Sequence, residues 1–519
     1  MTALNSSNSA ITQEPQATRR RWLAWACLAI AGYFAATNLV TWPSRIRYPG
    51  EIAYIEGVGL TEITAVANGQ KIYAHSLPDR EYTGNYGPLY YWTGSHLIDG
   101  SRPAYFPLRL LSMFAMLAAV FGCAMLAHRL TGETGAAILA ALVVLSFHII
   151  STFGLAARSD ALALALAFWG FLVAYRFREG RAQLVSVPFF LLSLFWKPQF
   201  FAAPLAVIVD HLLAKRYRAA MRFAGFLAGG GVLLLGVVEL FVFPGQAPLY
   251  HIFWNNVVPL SLPGLRMGLI SSLGIWGLPV WAGVQVLRSR RDRPLATYLI
   301  LAILICWLGL SKAGADTNYM LEGTLILSPL FAAWLWQKCK EAQPEIVILP
   351  ALALYLAQLV GLPAPSPADF VRDRKIQAYL QSNFRPGTRA LGYFAGDLTR
   401  AGLDVPYPDL WQAFTRVETG RREPGYLADQ IAKKKFGVVI ASTDLRVDPG
   451  GSFITLPMRE SLLQNYRLAC VLELPGPEIK RPNDRFYAWV PLTPGTSSEN
   501  DMGIAARDGC GPQPAVLGQ

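Results

Sequence analysis

Apolar runs of about span length recur through the first two-thirds of the chain. A hydrocarbon core about 30 Å thick takes roughly 20 apolar residues of helix. Such runs fall at 22–41, 106–127, 135–155, 160–175, 223–243, 267–287, 295–310, 319–337 and 345–362. The stretch 184–213 is too long for one span, and its centre carries Lys197-Pro198. Proline lacks a backbone donor and a mid-bilayer lysine is costly, so this stretch predicts two short helices meeting at one membrane face. The sum is about eleven spans. The longest polar interruption, 42–105, has its own pattern. Residues 51–68 space Ile52, Ile55, Val58, Ile63 and Val66 as a helix does, with Glu51, Glu56 and Glu62 interspersed. Residues 86–98 turn aromatic after Gly87-Pro88, which predicts a second helix at the bilayer surface. Beyond 362 the pattern shortens. Runs 390–394, 436–441 and 486–491 read as strands, and 376–380, 425–435 and 457–466 as helices. That alternation predicts a small α/β domain over 363–492. Residues 493–519, rich in Gly, Pro and Ser, read as a loose tail, and the polar residues 1–18 as disordered.

Composition sharpens this division. The 519 residues hold 46 Lys/Arg and 34 Asp/Glu, only 15% charged, and mean hydropathy is +0.32. Residues 363–519 carry 19 basic and 17 acidic side chains, about 23%, a normal soluble density. The preceding 362 residues carry the other 44, about 12%. A disordered chain, a collagen and a small disulfide scaffold are excluded. Loop charge then sets orientation. Segments 1–21, 128–134, 176–183, 214–222, 288–294 and 338–344 hold 17 Lys/Arg in 59 residues; the alternate segments hold 9 in about 100. The basic loops belong inside, which places the N-terminus in the cytoplasm and the 363–492 domain outside. The net charge of +12 is therefore a matter of topology, not of nucleic-acid binding. The 22–41 run reads as a retained first helix, not a cleaved signal. The six cysteines form no CxxC pair, and Cys470 and Cys510 alone share the outer domain.

Polar residues gather on the outer side. Arg158-Ser-Asp160 opens a span, Lys197 marks the hairpin, His251, Asn255 and Asn256 lie in the 244–266 loop, and Lys312, Asp316, Asn318 and Glu322 precede another span. Charges at such boundaries are functional candidates, although each also fits a snorkelling or topology role. Tyr90, Tyr91 and Trp92 likewise fit simple interfacial anchoring. Together with Glu51, these residues supply cations for a phosphate and carboxylates for a base. No GxGxxG, Walker or HExxH motif is present, so nucleotide use and zincin chemistry have no support.

This order of features resembles the class C (GT-C) membrane glycosyltransferases, of the protein-mannosyltransferase and aminoarabinose-transferase type. The likeness rests on Glu51 and Tyr54 early in the long outer loop, Gly69 to Tyr73, Pro88-Leu89-Tyr90-Tyr91, Arg158-x-Asp160, Lys197, and Gly314 to Asn318-Tyr319, over about residues 20–362. Two departures stand out. Many relatives carry a pair of acids where this chain has Gly50-Glu51. Some carry Glu-Lys where it has Asn85-Tyr86-Gly87, which weakens metal and phosphate contact at that spot.

The resemblance implies an inverting transfer of sugar from a polyprenyl-phosphate donor to a lipid, glycan or protein acceptor at the outer face. On that basis Glu51 is the expected base, Arg158 and Lys197 hold the donor phosphate, and Asp160, the second catalytic candidate, holds Arg158 in place or helps position the acceptor or a metal. Tyr86, Tyr90, His251, Asn255, Asp316, Asn318 and Glu322 are expected to line the substrate pocket. No cofactor is required by the sequence; a divalent metal remains compatible. A transporter or flippase of a lipid-linked substrate would predict internal repeats, which are not evident. A lipid-linked polymer ligase would favour a large loop late in the chain, whereas here it comes first.

Overall fold

A computed structural model describes residues 8–74, 79–255, 258–423, 425–447, 454–473 and 485–492. The tail 493–519, including Cys510, and Asn256 lie outside the described residues. The membrane part begins with α1 (Asn8–Leu39) and, after the outer loop, runs through α5 (Phe106–Thr131), α6 (Thr134–Ser146), α7 (His148–Phe153), α8 (Asp160–Arg176), α9 (Val187–Trp196), α10 (Ala202–Leu213), α11 (Tyr217–Val237), α12 (Leu262–Arg290), α13 (Arg293–Leu310), α14 (Leu321–Lys340) and α15 (Ile348–Leu356). Among the described residues, six helical segments are long and apolar enough to cross a membrane: Thr18–Arg47, Phe106–Thr131, Tyr217–Val242, Leu262–Arg290, Arg293–Leu310 and Thr317–Lys340. Thr134–Ser146, Arg181–Trp196 and Ala202–Leu213 are shorter apolar helices. The 184–213 stretch does divide at Lys197, which caps the C-terminus of α9 in an extended conformation.

Two spans differ from their pattern. The run 135–155 breaks at Phe147, which is extended (φ −76°, ψ 118°). The break is satisfied from a distance. Asn38 on α1 donates to the carbonyls of Leu145 (3.0 Å) and Ser146 (2.9 Å), and the Gln358 amide also reaches Ser146. A helix can break inside an apolar slab only where freed backbone groups find such partners. The run 345–362 forms only the nine-residue α15 after a 3-10 turn. At the centre lies α14. Of its apolar window 89% is buried, against 6% for the helix Tyr217–Val242, so α14 packs on all sides and the latter lies on the outside of the bundle with its apolar side chains uncovered.

The outer loop holds α2 (Trp42–Arg47), α3 (Tyr54–Ala67) and α4 (Pro88–Leu97). It is not a surface loop, because α3 buries Glu56 and Glu62 completely. Each is matched. Arg109 of α5 grips Glu56 with Nε at 3.0 Å and Nη2 at 2.8 Å, and its remaining donors reach the carbonyls of Arg45, Tyr48 and Gly50. Glu62 accepts from Tyr91 (2.6 Å), the Thr83 hydroxyl (2.8 Å) and the Thr83 and Gly84 amides. Buried carboxylates this well bonded fix the loop's shape.

The C-terminal third comprises α16 (Pro367–Asn383), β1 (Ala390–Gly392), α17 (Ala395–Arg400), α18 (Leu410–Glu418), α19 (Tyr426–Ala432), β2 (Val438–Ala441), α20 (Leu456–Asn465), β3 (Tyr466–Glu473) and β4 (Arg485–Pro491). The sheet order is β1-β2-β4-β3, parallel between β1 and β2 and antiparallel elsewhere. Apolar clusters cover both sheet faces. Ion pairs clasp this domain to residues 79–81 of the outer loop: Asp79 to Lys435 (2.6 Å), Arg80 to Asp404 (3.2 Å), and Glu81 to Arg416 and Arg422.

Candidate active site

Asp160 is the hub. It opens α8, where the helix dipole favours a carboxylate. Its Oδ1 accepts from Lys197 Nζ (2.6 Å) and Asn318 Nδ2 (2.8 Å), and its Oδ2 from Arg158 Nε (3.1 Å). Arg158 Nη1 also pairs with Asp316 at 3.7 Å. Residues from three separate segments thus meet around one fully buried carboxylate. Lys197 lies over the Tyr86 ring, 5.2 Å from its centroid, a favourable cation–π arrangement.

Gly87 makes that stacking possible. Its amide donates to the Trp196 carbonyl (3.1 Å), and a Cβ there would stand 2.0 Å from the Phe195 oxygen. That obstacle is backbone and cannot rotate away. Gly87→Ala is expected to push Tyr86 off Lys197 and to lower the activity of this site about 100-fold, as misplacements near 1 Å do. An activity assay on folded, monodisperse protein checks this.

Above the hub opens a cavity of about 620 Å³. Arg158, Lys197, Tyr86, Asp316 and Asn318 line it, so five of the expected site residues converge there. Asp160 sits directly beneath, through its bonds to three of them. Lys312 and Gly314 contribute from the loop before α14, Tyr54 and Asn85 from the outer loop, and Asp409, Trp411 and Gln412 from the C-terminal domain.

Besides Asp160, five expected residues are not in that lining. Glu51 is buried at the seam between outer loop and C-terminal domain: its carboxylate lies against Gly57, where α3 meets Gly396. Tyr90 donates to the Ala157 carbonyl (3.0 Å). Both His251 ring nitrogens face carbonyls, of Thr83 and Ala74, at 3.1 Å, which ties the π-helical turn Tyr250–Asn255 to the outer loop. The Asn255 side chain lies outside the described residues. Glu322 accepts from Tyr298 (3.0 Å) within the helix core.

Asp409, Trp411 and Gln412 were not expected in the site. Asp409 caps α18, accepting from the Gln412 amide (3.0 Å), and also accepts from the Tyr54 hydroxyl (3.2 Å) and Asn85 Nδ2 (3.4 Å). Burial pushes its carboxyl up to about 6, with the nearby Glu62 charge adding to the rise. The Asp409-x-x-Gln412 spacing is a helix-start signature that points to α18. Among the described residues, no group of three or more His, Cys, Asp or Glu side chains is arranged to hold a metal ion.

The helices, the buried outer loop and the cation-floored cavity define a polytopic membrane protein with the GT-C glycosyltransferase fold. Its solved likenesses include ArnT from Cupriavidus metallidurans bound to undecaprenyl phosphate, at 14% identity and a TM-score of 0.54, over 88% of this chain and 97% of that one. The apo form of the same ArnT matches at 13% identity, with the same TM-score and coverage. The Archaeoglobus fulgidus oligosaccharyltransferase, complexed with Zn and sulfate, matches at 12% identity and a TM-score of 0.48, over 85% and 71%. No family model matches the sequence, and no curated protein matches it.

Proposed function

We propose that the protein is an integral-membrane glycosyltransferase that moves a sugar from a polyprenyl-phosphate donor to an acceptor at the outer face, with inversion. The observation that carries this reading is the pair of buried cations, Arg158 and Lys197, held by Asp160 at the floor of a cavity large enough for a sugar. The likeness to an ArnT bound to undecaprenyl phosphate supports the lipid-phosphate class.

The chemistry fits the charges. A polyprenyl-phosphate sugar is a phosphodiester with one negative charge. When the bond from the anomeric carbon to the phosphate oxygen breaks, its electron pair stays on that oxygen and the leaving group carries two charges. Preorganised cations stabilise the charge that develops. The acceptor attacks from the opposite face, which inverts the centre, and its proton passes to a carboxylate. Asp316 lines the cavity and is half exposed, which favours it for that role; Glu51 would have to act from the seam. The cavity belongs on the outer side by loop charge. Cys470 on β3 is disulfide-bonded, which supports an oxidising compartment for the C-terminal domain.

The test is release of polyprenyl phosphate from a panel of polyprenyl-phosphate sugars, with membrane extract as acceptor. Wild type is expected to turn over at least one donor. Lys197→Ala and Arg158→Ala are expected to lose about 100-fold or more, the scale of removing one preorganised charge contact. Asp316→Asn and Glu51→Gln in the same assay assign the base. Absence of release with every donor, together with no polyprenyl-phosphate binding, would refute the reading.

A further inference from the structure

The cavity has two chemically different ends. One holds Arg158 and Lys197. The other holds Asp409, Tyr54 and Asn85, with Trp411 packed on Gly314. Tyr86, which lines the cavity beneath Lys197, and its sequence neighbour Asn85, bonded to Asp409, connect the two ends along the chain. Gly314, at φ +69°, has no side chain where Trp411 needs room: a Cβ would stand 2.2 Å from the indole. The C-terminal domain therefore forms a wall of the cavity itself.

Asp409 lacks the ion pair that Asp160 and Glu56 have, and unlike Glu62 and Glu322, which are also bonded only by neutral donors, it lines the cavity. Asp160 and Glu56 each hold a cation at hydrogen-bond distance. Among the described residues no Lys or Arg pairs with Asp409. Its Oδ2 has one long contact, 3.4 Å from Asn85, although a carboxylate oxygen accepts two hydrogen bonds. A buried anion without a cation is costly, and helix capping does not explain the Tyr54 and Asn85 contacts or the position on the cavity. Carboxylate, amide and phenol together complement adjacent hydroxyls, and an indole offers a flat apolar surface for a ring.

We propose that Asp409, Tyr54, Asn85 and Trp411 form a subsite for the hydroxyl-bearing ring of the donor sugar, so that the C-terminal domain selects which sugar is used. The inference rests on the glycosyltransferase reading and extends it to donor specificity. It assigns phosphate to the Arg158–Lys197 end and sugar to the Asp409 end.

The experiment is equilibrium binding of bare polyprenyl phosphate and of a panel of polyprenyl-phosphate hexoses and pentoses to the full-length protein in nanodiscs. Wild type is expected to bind at least one sugar-bearing lipid about tenfold more tightly than the bare phosphate, the gain from one or two charge-assisted hydrogen bonds. Asp409→Asn and Tyr54→Phe are expected to bring that ratio to one while bare phosphate binds as before. Asparagine caps helices as well as aspartate, so α18 is preserved in the first variant. Lys197→Ala is expected to weaken both lipids alike. An unchanged ratio in Asp409→Asn and Tyr54→Phe, or no panel sugar preferred by wild type, overturns the subsite and leaves the phosphate reading standing. Failure of wild type to bind any of these lipids overturns both.

Discussion

Asp160→Ala is expected to abolish sugar transfer and to weaken lipid-phosphate binding with it. The carboxylate holds Lys197 at 2.6 Å, Asn318 at 2.8 Å and Arg158 at 3.1 Å, and all three lie in the cavity wall. Removing it leaves two cations in a nearly closed environment, 6% and 8% exposed, with one weak partner at 3.7 Å for Arg158. Breaking a buried pair from one side costs about 3–5 kcal/mol, because the orphaned charge stays buried. The two cations then repel, and one way out is for Lys197 to lose its proton. Phosphate affinity is expected to fall by about 10²–10³, the lower part of that energy range expressed as a ratio. Binding of polyprenyl phosphate, read against a melting curve of the same sample, checks this. Asp160→Asn keeps the shape and removes the charge, so it is expected to melt higher than Asp160→Ala while staying inactive. Wild-type binding by either variant would show that the hub does not organise the phosphate end.

The second large effect concerns stability. Arg109→Ala is expected to lower the stability of the membrane part by about 3–5 kcal/mol. Arg109 is fully buried, pairs with Glu56 and satisfies three carbonyls, that of Arg45 in α2 and those of Tyr48 and Gly50 in the chain leading to α3. Without it, Glu56 keeps only the Ile52 and Ala157 amides, and those carbonyls lose their donor. Arg109→Lys is expected to fail nearly as badly, since one ammonium cannot reproduce a guanidinium that serves four groups at once. Thermal unfolding in detergent is the measurement. The Ala157 amide adjoins Arg158, so a loss of activity is expected below the temperature of global unfolding. Unchanged melting in Arg109→Ala would mean that the loop is held by its helices alone.

Much of this was legible along the chain, and the remainder failed for identifiable reasons. Arg158, Asp160, Lys197, Asp316 and Asn318 stand out because each interrupts or borders an apolar run, where a charge is conspicuous. Glu56 and Glu62 looked like the polar face of an amphipathic helix. Their partners, Arg109 and the Thr83–Tyr91 segment, lie tens of residues away, and spacing within α3 cannot reveal them. The break at Phe147 was hidden for the same reason: its satisfying donor is Asn38, 108 residues earlier. Strand β3 was missed because a register shift between Leu468 and Cys470 disrupts the two-residue alternation. Helix α18 carried its own start signal in Asp409-x-x-Gln412, yet nothing local says that this cap faces a cavity built by residues 54, 85 and 197. Glu51 shows the converse: a motif position can be matched while the side chain turns to a seam.

The clasp between residues 79–81 and the C-terminal domain has a consequence in time. Asp79 and its partner Lys435 are separated by 356 residues. At synthesis rates of about 5–20 residues per second, the outer loop waits roughly 20–70 s for the chain that completes it. Throughout that wait Arg80, Glu81 and Tyr54 lack the C-terminal groups they contact in the finished protein. The cavity wall that contains Asp409 is laid last, so a nascent or C-terminally shortened chain holds the Arg158–Lys197 floor before the Asp409 end exists. Maturation of this protein is in that sense self-timed: its cavity is complete only when the last third of the chain has been made and has folded down.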